Sequence, residues 1–260
     1  MRGGVDTSHV ADDPALPAHE HHVGVGLTHA EVRAEYGLRE NVQLAVRLPY
    51  DVKAMRVSYA LLDGTPYTPP YGDIHHRTET LRGLSDPSVR LEASRGSWLL
   101  GAGTTLPIGN TVEDPVRLGD EGKTHQHIQF GSGTFQPVLS AQFANRRFVA
   151  AAEAKLSLYE NSEGFRAPAE INWSLGPTFR VRGIAIDPRL SGTRQSIGRW
   201  NGQIDEGSGF DNGGLRLHVS IPYHGTIIAP SIYRELWSHG MHHESFRQRV
   251  TLGLSLQRTF

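Results

Sequence analysis

Apolar and polar residues alternate with a period of two along much of the chain, which is the pattern of a β-strand with one apolar and one polar face. The clearest case lies at the end of the sequence. Its apolar face carries Val250, Leu252, Leu254, Leu256 and Phe260, interrupted only by Arg258. Its other face carries Arg249, Thr251, Gly253, Ser255 and Gln257. Helical periodicity is scarce, so the pattern predicts an all-β chain.

Three interior segments alternate in the same way. Their apolar faces comprise Val42, Leu44, Val46, Leu48 and Tyr50; Leu215, Leu217, Val219 and Ile221; and Phe148, Ala150, Ala152, Ala154, Leu156 and Leu158. The last segment places Glu153 and Lys155 on its other face, where burial in a β-sandwich core would cost several kcal/mol for each unpaired charge. The polar lumen of a membrane barrel tolerates such groups, so the alternation favours a barrel over a sandwich.

Short and long connections alternate along the chain. The short ones lie near residues 38–41, 95–96, 145–146, 182–183 and 222–225, and the long ones near 62–76, 109–129, 160–165, 201–213 and 238–244. Transmembrane barrels join their strands by short periplasmic turns and longer extracellular loops. We therefore predict one antiparallel transmembrane β-barrel of about 12 strands. Residues 1–20 would form an N-terminal segment, either a short first strand or partly disordered, and residues 21–260 the barrel.

Composition narrows the choice of function class. Lys and Arg number 26 against 27 Asp and Glu, so no global charge attracts nucleic acid. Cysteine is absent, which removes disulfides, thiolate metal sites and cysteine nucleophiles. No apolar stretch approaches the roughly 18 to 20 residues of a membrane-spanning helix, so only a closed barrel of strands would cross a bilayer.

The start of the chain does not fit export as written. Met1-Arg2-Gly3-Gly4 is not followed by the apolar core of a secretory signal. We take this start to be trimmed or misplaced, and we expect the protein in the outer membrane of a Gram-negative bacterium. A soluble β-domain with a binding role remains the alternative on this point.

Seven short stretches carry a resemblance to a known family. They are YGLREN at 36–41, RLPY at 47–50, GLSDP at 83–87, LPIG at 106–109, GSGTF at 131–135, NGG at 212–214 and LGLSL at 252–256. In this order and spacing they resemble the outer-membrane transporters grouped under the phenol meta-pathway degradation name. The resemblance implies a lipid-embedded barrel with a transport role and no catalytic residues, and it is not evidence for phenol as a substrate. The chain departs from the family in its missing leader and in its many histidines.

The 14 histidines are unevenly distributed. Three of them, His19, His21 and His22, precede the first clear strand. The loop histidines that we expect at one rim are His75, His76, His125, His127, His239, His242 and His243. Imidazole binds Zn and Cu well, and His125 and His127 would project to one side of an extended segment. With Asp73, Glu121 or Glu244 nearby, these residues are a candidate site for divalent Zn or Cu. The alternative is an exposed rim that changes charge near pH 6.

Ionisable residues on the predicted inward faces define a second candidate site. They are Arg47, Glu153, Lys155, Glu170, Arg216, His218 and Arg249. Glu31, Arg33 and Glu35 alternate with apolar residues in the same way. Because both signs are present, these residues would either form salt bridges that stiffen the barrel or create a transverse field that selects polar solutes.

These patterns predict a pore or uptake barrel for small solutes. Its partner would be outer-membrane lipid. The aromatic end of the chain resembles that of bacterial outer-membrane barrels, and this resemblance implies that the barrel assembly machinery recognises Phe260 as a terminal signal. The alternatives are a lipase-like outer-membrane enzyme, for which His218 and Ser220 share one strand face, and the soluble β-domain. We predict no catalytic or cofactor-binding residues.

Overall fold

The structure, a computed structural model, describes residues 2–11, 15–70, 77–125, 129–205, 208–240, 247–248 and 250–260. The strands are β1 (Arg2–Ala11), β2 (His19–Arg39), β3 (Val42–Leu61), β4 (Glu79–Leu84), β5 (Ser88–Arg95), β6 (Trp98–Thr105), β7 (Pro137–Ala144), β8 (Phe148–Lys155), β9 (Phe165–Arg166), β10 (Glu170–Pro177), β11 (Phe179–Val181), β12 (Ile184–Gln195), β13 (Arg199–Trp200), β14 (Gln203–Ile204), β15 (Phe210–Tyr223), β16 (Thr226–Gly240), β17 (Arg247–Gln248) and β18 (Val250–Arg258). One short helix, α1 (Pro115–Asp120), precedes β7.

Most of the strands form a single antiparallel barrel. Within the described ranges, twelve positions follow one another around the wall in the order β1, β2, β3, β5, β6, β7, β8, β10, β12, β15, β16 and β18. The pairing of β18 with β1 at Arg2 and Leu252 closes the ring. The other short strands of this sheet extend these positions: β4 lies beside β3 ahead of β5, β11 continues β10, and β17 precedes β18. The predicted antiparallel barrel of about 12 strands is confirmed.

Large apolar side chains cover the outside of the barrel. Exposed examples are Val32, Tyr36, Leu48, Leu91, Trp98, Leu100, Leu139, Phe148, Ile171, Leu175, Leu215, Leu217, Ile232, Leu252, Leu254 and Leu256. Most of their neighbours along each strand point inward and are polar or small, such as Glu31, Arg90, Ser140, Asn172 and Ser174. An exposed apolar surface of this extent is unfavourable in water, whereas a lipid environment accommodates it.

The hairpin of β2 and β3 reverses its polarity halfway along. Near the short turn, Val32, Leu48 and their neighbours face outward and charged residues face inward. Beyond the pair formed by His29 and Asp51 the faces exchange character. The inner face becomes an apolar cluster of Val23, Val25, Leu27, Met55, Val57 and Leu81, and the outer face carries Glu20, His22, Thr28, Arg56 and Ser58.

The length of β2 agrees with this change of polarity along the hairpin. β2 has 21 residues, which extend over roughly 70 Å, while the apolar band of a membrane barrel is about 25 Å tall. Even a tilted strand of this length continues past the lipid. The half of the hairpin near the short turn therefore has the pattern of a membrane strand, and the other half that of a strand in water.

Two short turns have the backbone of tight hairpins. Arg182 and Gly183 join β11 to β12 with φ angles of 51° and 84°, and His224 and Gly225 join β15 to β16 with 45° and 76°. Positive φ at both central residues is typical of type I′ turns, whose twist matches that of the strands. The short connections predicted at these places are confirmed, but two long loops are shorter than predicted, because β15 already begins at Phe210 and β16 continues to Gly240.

The long connections contain a small folded layer at one end of the barrel. Strands β9, β13 and β14 form a separate sheet, and Phe165, Ala167 and Trp200 pack in its core. Helix α1 joins this layer through Asp114, which caps its N-terminus and accepts a 2.7 Å hydrogen bond from Asn201 Nδ2. No helix in the described part of the chain is long and apolar enough to cross a membrane.

Candidate functional site

A charged cluster lies across the inside of the barrel. Arg47 Nη1 on β3 donates to Glu153 Oε1 on β8 at 3.3 Å and lies 3.2 Å from Oε2, and Arg90 on β5 also binds Glu153. Strands β6 and β7 lie between β5 and β8 in the wall. The two arginines therefore reach over these strands, and their contacts run through the interior instead of along neighbouring strands.

Two glycines on β6 leave space for the side chains of Arg90 and Glu92. A Cβ atom added at Gly103 would lie 2.7 Å from Cγ of Arg90, and one added at Gly101 would lie 3.2 Å from Cγ of Glu92. The first distance is shorter than real Cβ contacts. The guanidinium of Arg90 can lie over the wall at this level because β6 presents no side chain there.

Glu92 connects this cluster to β2. It accepts from Arg33 at 3.1 and 3.0 Å and from Gln43 at 2.8 Å, and its Oε1 lies 3.3 Å from Arg90 Nη2. Arg90 and Glu92 are only 2% and 3% exposed. Burying a charge costs free energy unless groups of opposite charge surround it. The guanidinium and carboxylate groups of this network therefore stabilise one another.

Three further groups with polar side chains line the wall beyond the cluster. On one side, Glu170 lies 4.0 Å from Lys155 and accepts from Asn172 Nδ2 at 2.6 Å. On another side, Asp187 accepts from Thr178 at 2.6 Å and from Arg189 at 3.2 Å. Arg216 lies over the ring of Tyr233 at 5.2 Å.

The interior is hollow on both sides of the cluster. One cavity of about 700 Å³ is lined by Arg33, Arg90, Glu92, Arg189, Arg216 and His218. A second cavity of about 860 Å³, towards the long loops, is lined by His29, Asp51, Lys53, Phe130, Ser132 and Lys155. Arg47, Glu153, Glu170 and Asn172 border both cavities. These four side chains therefore lie where the two polar chambers adjoin, and we call this level of the barrel the constriction.

The loop around residues 129–132 lies across the second chamber and is held there by hydrogen bonds. Lys53 Nζ donates to the carbonyl of Gln129 at 2.6 Å and lies 4.6 Å from the centre of the Phe130 ring. Asp86 fixes the same loop, because its carboxylate accepts from Gly109 N at 3.0 Å and from Ser132 N and Oγ at 2.6 Å each. The long-loop end is thus narrowed by ordered chain.

The structure describes two of the predicted rim histidines. His125 is buried, with Nδ1 2.9 Å from the carbonyl of Lys123, and His239 is exposed near the end of β16. His75, His76, His127, His242 and His243 lie outside the described residues. Among the residues that the structure does describe, no group of three or more His, Asp or Glu side chains is arranged to hold a metal.

Glu121, a predicted neighbour of His125, is engaged with basic residues. A hydrogen bond from the Lys123 ammonium at 2.6 Å, with a further one from Arg117 at 3.2 Å, lowers the pKa of the Glu121 carboxyl. The carboxylate is therefore ionised in neutral solution. Asp73 and Glu244, the other predicted neighbours, lie outside the described residues.

Six predicted lumen residues border the two cavities: Arg47, Glu153, Lys155, Glu170, Arg216 and His218. Arg249 lies outside the described residues. The prediction missed Arg90 and Glu92, the most buried charges of the cluster. Their signal was present, since the two alternate with Val89 and Leu91 along one strand.

The pair that prompted the lipase alternative has an unsuitable geometry. Ser220 Oγ lies 3.5 Å from His218 Nδ1, and Asp187 Oδ2 lies 3.6 Å from the same nitrogen. In a catalytic triad the serine and the carboxylate engage opposite ring nitrogens, so that the ring can take the serine proton while the carboxylate orients it. Here both groups approach one nitrogen.

A closed antiparallel ring with an apolar exterior and a charged, hollow interior is the fold of a transmembrane β-barrel. The fold is similar to that of an outer membrane channel from Pseudomonas putida F1, with a TM-score of 0.57. The match covers 100% of this chain and 94% of that protein at 13% sequence identity, and at this identity the likeness concerns the fold alone. No protein-family model and no curated protein sequence matches the chain.

Proposed function

We propose that the protein is an outer-membrane pore or uptake barrel for small solutes. The observation that carries this proposal is the constriction formed by Arg47, Glu153, Glu170 and Asn172 between two chambers inside a closed barrel. A barrel of twelve strands has a lumen between that of filled eight-stranded barrels and that of open porins. Rings of fixed charge at such a level select among permeating solutes.

The similar fold of the Pseudomonas putida channel supports this proposal. Membership in the transporter family that the sequence motifs resemble is part of the same proposal. The constriction carries charges of both signs, from Arg47 and from Glu153 and Glu170, and this mixture favours small polar solutes over large ions of one sign.

The proposal is tested by single-channel recording of the refolded full chain in a planar bilayer. We expect discrete conductance steps of one size. A protein that inserts, as shown by its heat-modifiable mobility, yet produces no conductance and no uptake of small polar solutes into vesicles would contradict a transport role.

Replacing Phe260 by Ala is expected to hamper assembly in cells far more than stability. Phe260 is fully exposed at the chain end, so the folded barrel loses little from its removal. The amount of heat-modifiable barrel in outer-membrane fractions should fall several-fold, while refolding in detergent is unchanged. Phe260→Tyr, which keeps a terminal aromatic ring, is the matched control. Full membrane insertion of Phe260→Ala would contradict a signalling role.

The rim histidines remain a proposed site for divalent Zn or Cu. We expect binding near the micromolar range, weakened at least tenfold by the double substitution of His125 and His127 by Ala, because the variant lacks both imidazoles that would chelate the ion together. His224→Ala, on a short turn at the other end of the barrel, is the control. Metal titration that gives the same affinity for the double variant and the control would rule this site out.

A further inference from the structure

The first chamber, the cavity of about 700 Å³, contains more positive than negative side chains. Among the described residues that line it, there are five arginines and three glutamates. Two of the glutamates bind arginines of the charged cluster, and the third, Glu170, lies beside Lys155. The excess of positive charge therefore lies with the two arginines outside that cluster, Arg189 and Arg216.

Arg189 and Arg216 stand directly opposite each other on neighbouring strands. They are register partners on β12 and β15, and both border the first chamber. Residues paired in this way have Cβ atoms about 4.5–5.5 Å apart, and like charges at such positions repel each other. A negative group bound between the two guanidinium groups would offset this repulsion.

Neighbouring side chains position the two guanidinium groups. Arg189 donates to Asp187 at 3.2 Å, and Asp187 is 6% exposed and also accepts from Thr178. The Nε of Arg189 has no hydrogen-bond partner among the residues that the structure describes, so this guanidinium keeps unused donors. Arg216 lies over the ring of Tyr233, its register partner on β16. Both groups are thus placed at the chamber wall before any ligand binds.

The rest of the lining suits an organic ligand. Leu99, Trp173 and Phe210 border the same chamber, together with polar residues such as Thr193 and Asn212. Sites for small molecules are mostly apolar, contain a few polar groups that fix orientation, and have volumes of about 300–1,000 Å³. The chamber volume of about 700 Å³ falls within this range. An apolar body beside a pair of cations fits an organic anion better than an inorganic one.

We propose that Arg189 and Arg216 form a binding site for the carboxylate group of a small organic anion. The planar guanidinium group matches a carboxylate, because two parallel N–H donors reach its two oxygens. This proposal rests on the proposed transport function, since it places the site in the path of permeating solutes. It adds to that function a class of solute, the small organic carboxylates.

The test records single channels of the refolded full chain in KCl, with butyrate as the probe and butyramide as its neutral counterpart. We expect butyrate to reduce the current at concentrations at least tenfold lower than butyramide does, because only the anion gains from the guanidinium pair. Arg189→Gln and Arg216→Gln should each raise the butyrate concentration for half-block at least fivefold.

Arg182→Gln is the matched control for these variants. It removes the same charge from an exposed position on the turn between β11 and β12, outside the chamber. Equal half-block concentrations of butyrate for Arg216→Gln and Arg182→Gln would overturn the proposal. Block by inorganic phosphate at lower concentrations than butyrate would overturn the assignment to organic carboxylates.

A binding measurement distinguishes failure of this site from failure of the transport function. Saturation-transfer NMR detects butyrate on the barrel refolded in detergent, whether or not the barrel conducts ions. Butyrate binding that is lost in Arg216→Gln supports the site even where no current is observed. Normal conductance without any preference for butyrate over butyramide would overturn the site and leave the transport function standing.

A further measurement needs no variant. If heat-modifiable mobility shows that Arg189→Gln and Arg216→Gln do not form the barrel, the wild-type protein is treated with phenylglyoxal, which modifies arginine. Butyrate should protect Arg189 and Arg216 at least threefold relative to Arg182, as read by mass spectrometry. Equal modification with and without butyrate would contradict the site.

Discussion

Glu153→Gln is expected to shift the ion selectivity of the pore towards anions by several-fold. Glu153 is the shared partner of Arg47 and Arg90, so neutralising it leaves two guanidinium groups at the constriction without their common counter-ion. Fixed charge at the narrowest level of a pore has the greatest influence on which ions pass. The measurement is the reversal potential across a bilayer with a salt gradient.

The same change should also reduce stability. Removing one partner of a buried ion pair typically costs about 3–5 kcal/mol, and Arg90 keeps Glu92 as a second partner, so we expect a loss near the lower end of this range. Glu113→Gln is the control, because Glu113 forms an exposed pair with Arg117 beside α1, outside the barrel interior. Adding Arg47→Gln to Glu153→Gln should restore most of the original selectivity. Identical reversal potentials for Glu153→Gln and Glu113→Gln would exclude the constriction as the selective element.

Leu254→Arg is expected to destabilise the barrel in lipid by about 2–4 kcal/mol, the usual effect of Arg on the lipid face near the middle of the bilayer. Leu254 is 64% exposed in the central part of β18 and points outward with Leu252 and Leu256. Urea unfolding of the protein in lipid vesicles measures the change.

Ser255→Arg is the matched control for this substitution. Ser255 is the next residue of the same strand, and alternation directs it to the opposite face. We expect it to change stability by less than about 1 kcal/mol, since a lumen in contact with water accepts a charge. Equal losses for the two variants would mean that this part of β18 does not face lipid.

The fold was predictable because side-chain alternation along a strand is local. The segment from Phe148 to Lys155 shows an apolar and a polar face in the sequence. This alternation follows from the geometry of a strand and does not depend on tertiary contacts. The errors lie where local signals mislead. Gly213 and Gly214 resemble a loop, yet they belong to β15 at a β-bulge, where the ring of Trp237 lies against Gly213.

The arrangement of the site was less predictable than its residues. The sequence placed Arg47 and Glu153 on inward faces, but it contained no sign that their side chains meet, because they lie 106 positions apart and their contact passes over three strands, β5, β6 and β7. His19 and His21 stood out as histidines, but not as a buried pair on β2 whose Nε2 atoms lie 3.2 Å apart. Their face of β2 is polar near the short turn and apolar beyond it, so no single amphipathic pattern extends along the strand.

The reversed polarity of the hairpin formed by β2 and β3 also protects the pairing of the wall against error. A slip of one residue would turn Glu31 and Arg33 towards lipid, and the same slip would turn Val23 and Val25 towards water. Either half alone makes the slipped pairing unfavourable. In one half charged groups would enter lipid, and in the other apolar side chains would enter water. The position of the reversal, at His29 and Asp51, also fixes how deeply the barrel sits in the membrane. Moving the barrel along the membrane normal would place charged residues in lipid or apolar residues in water.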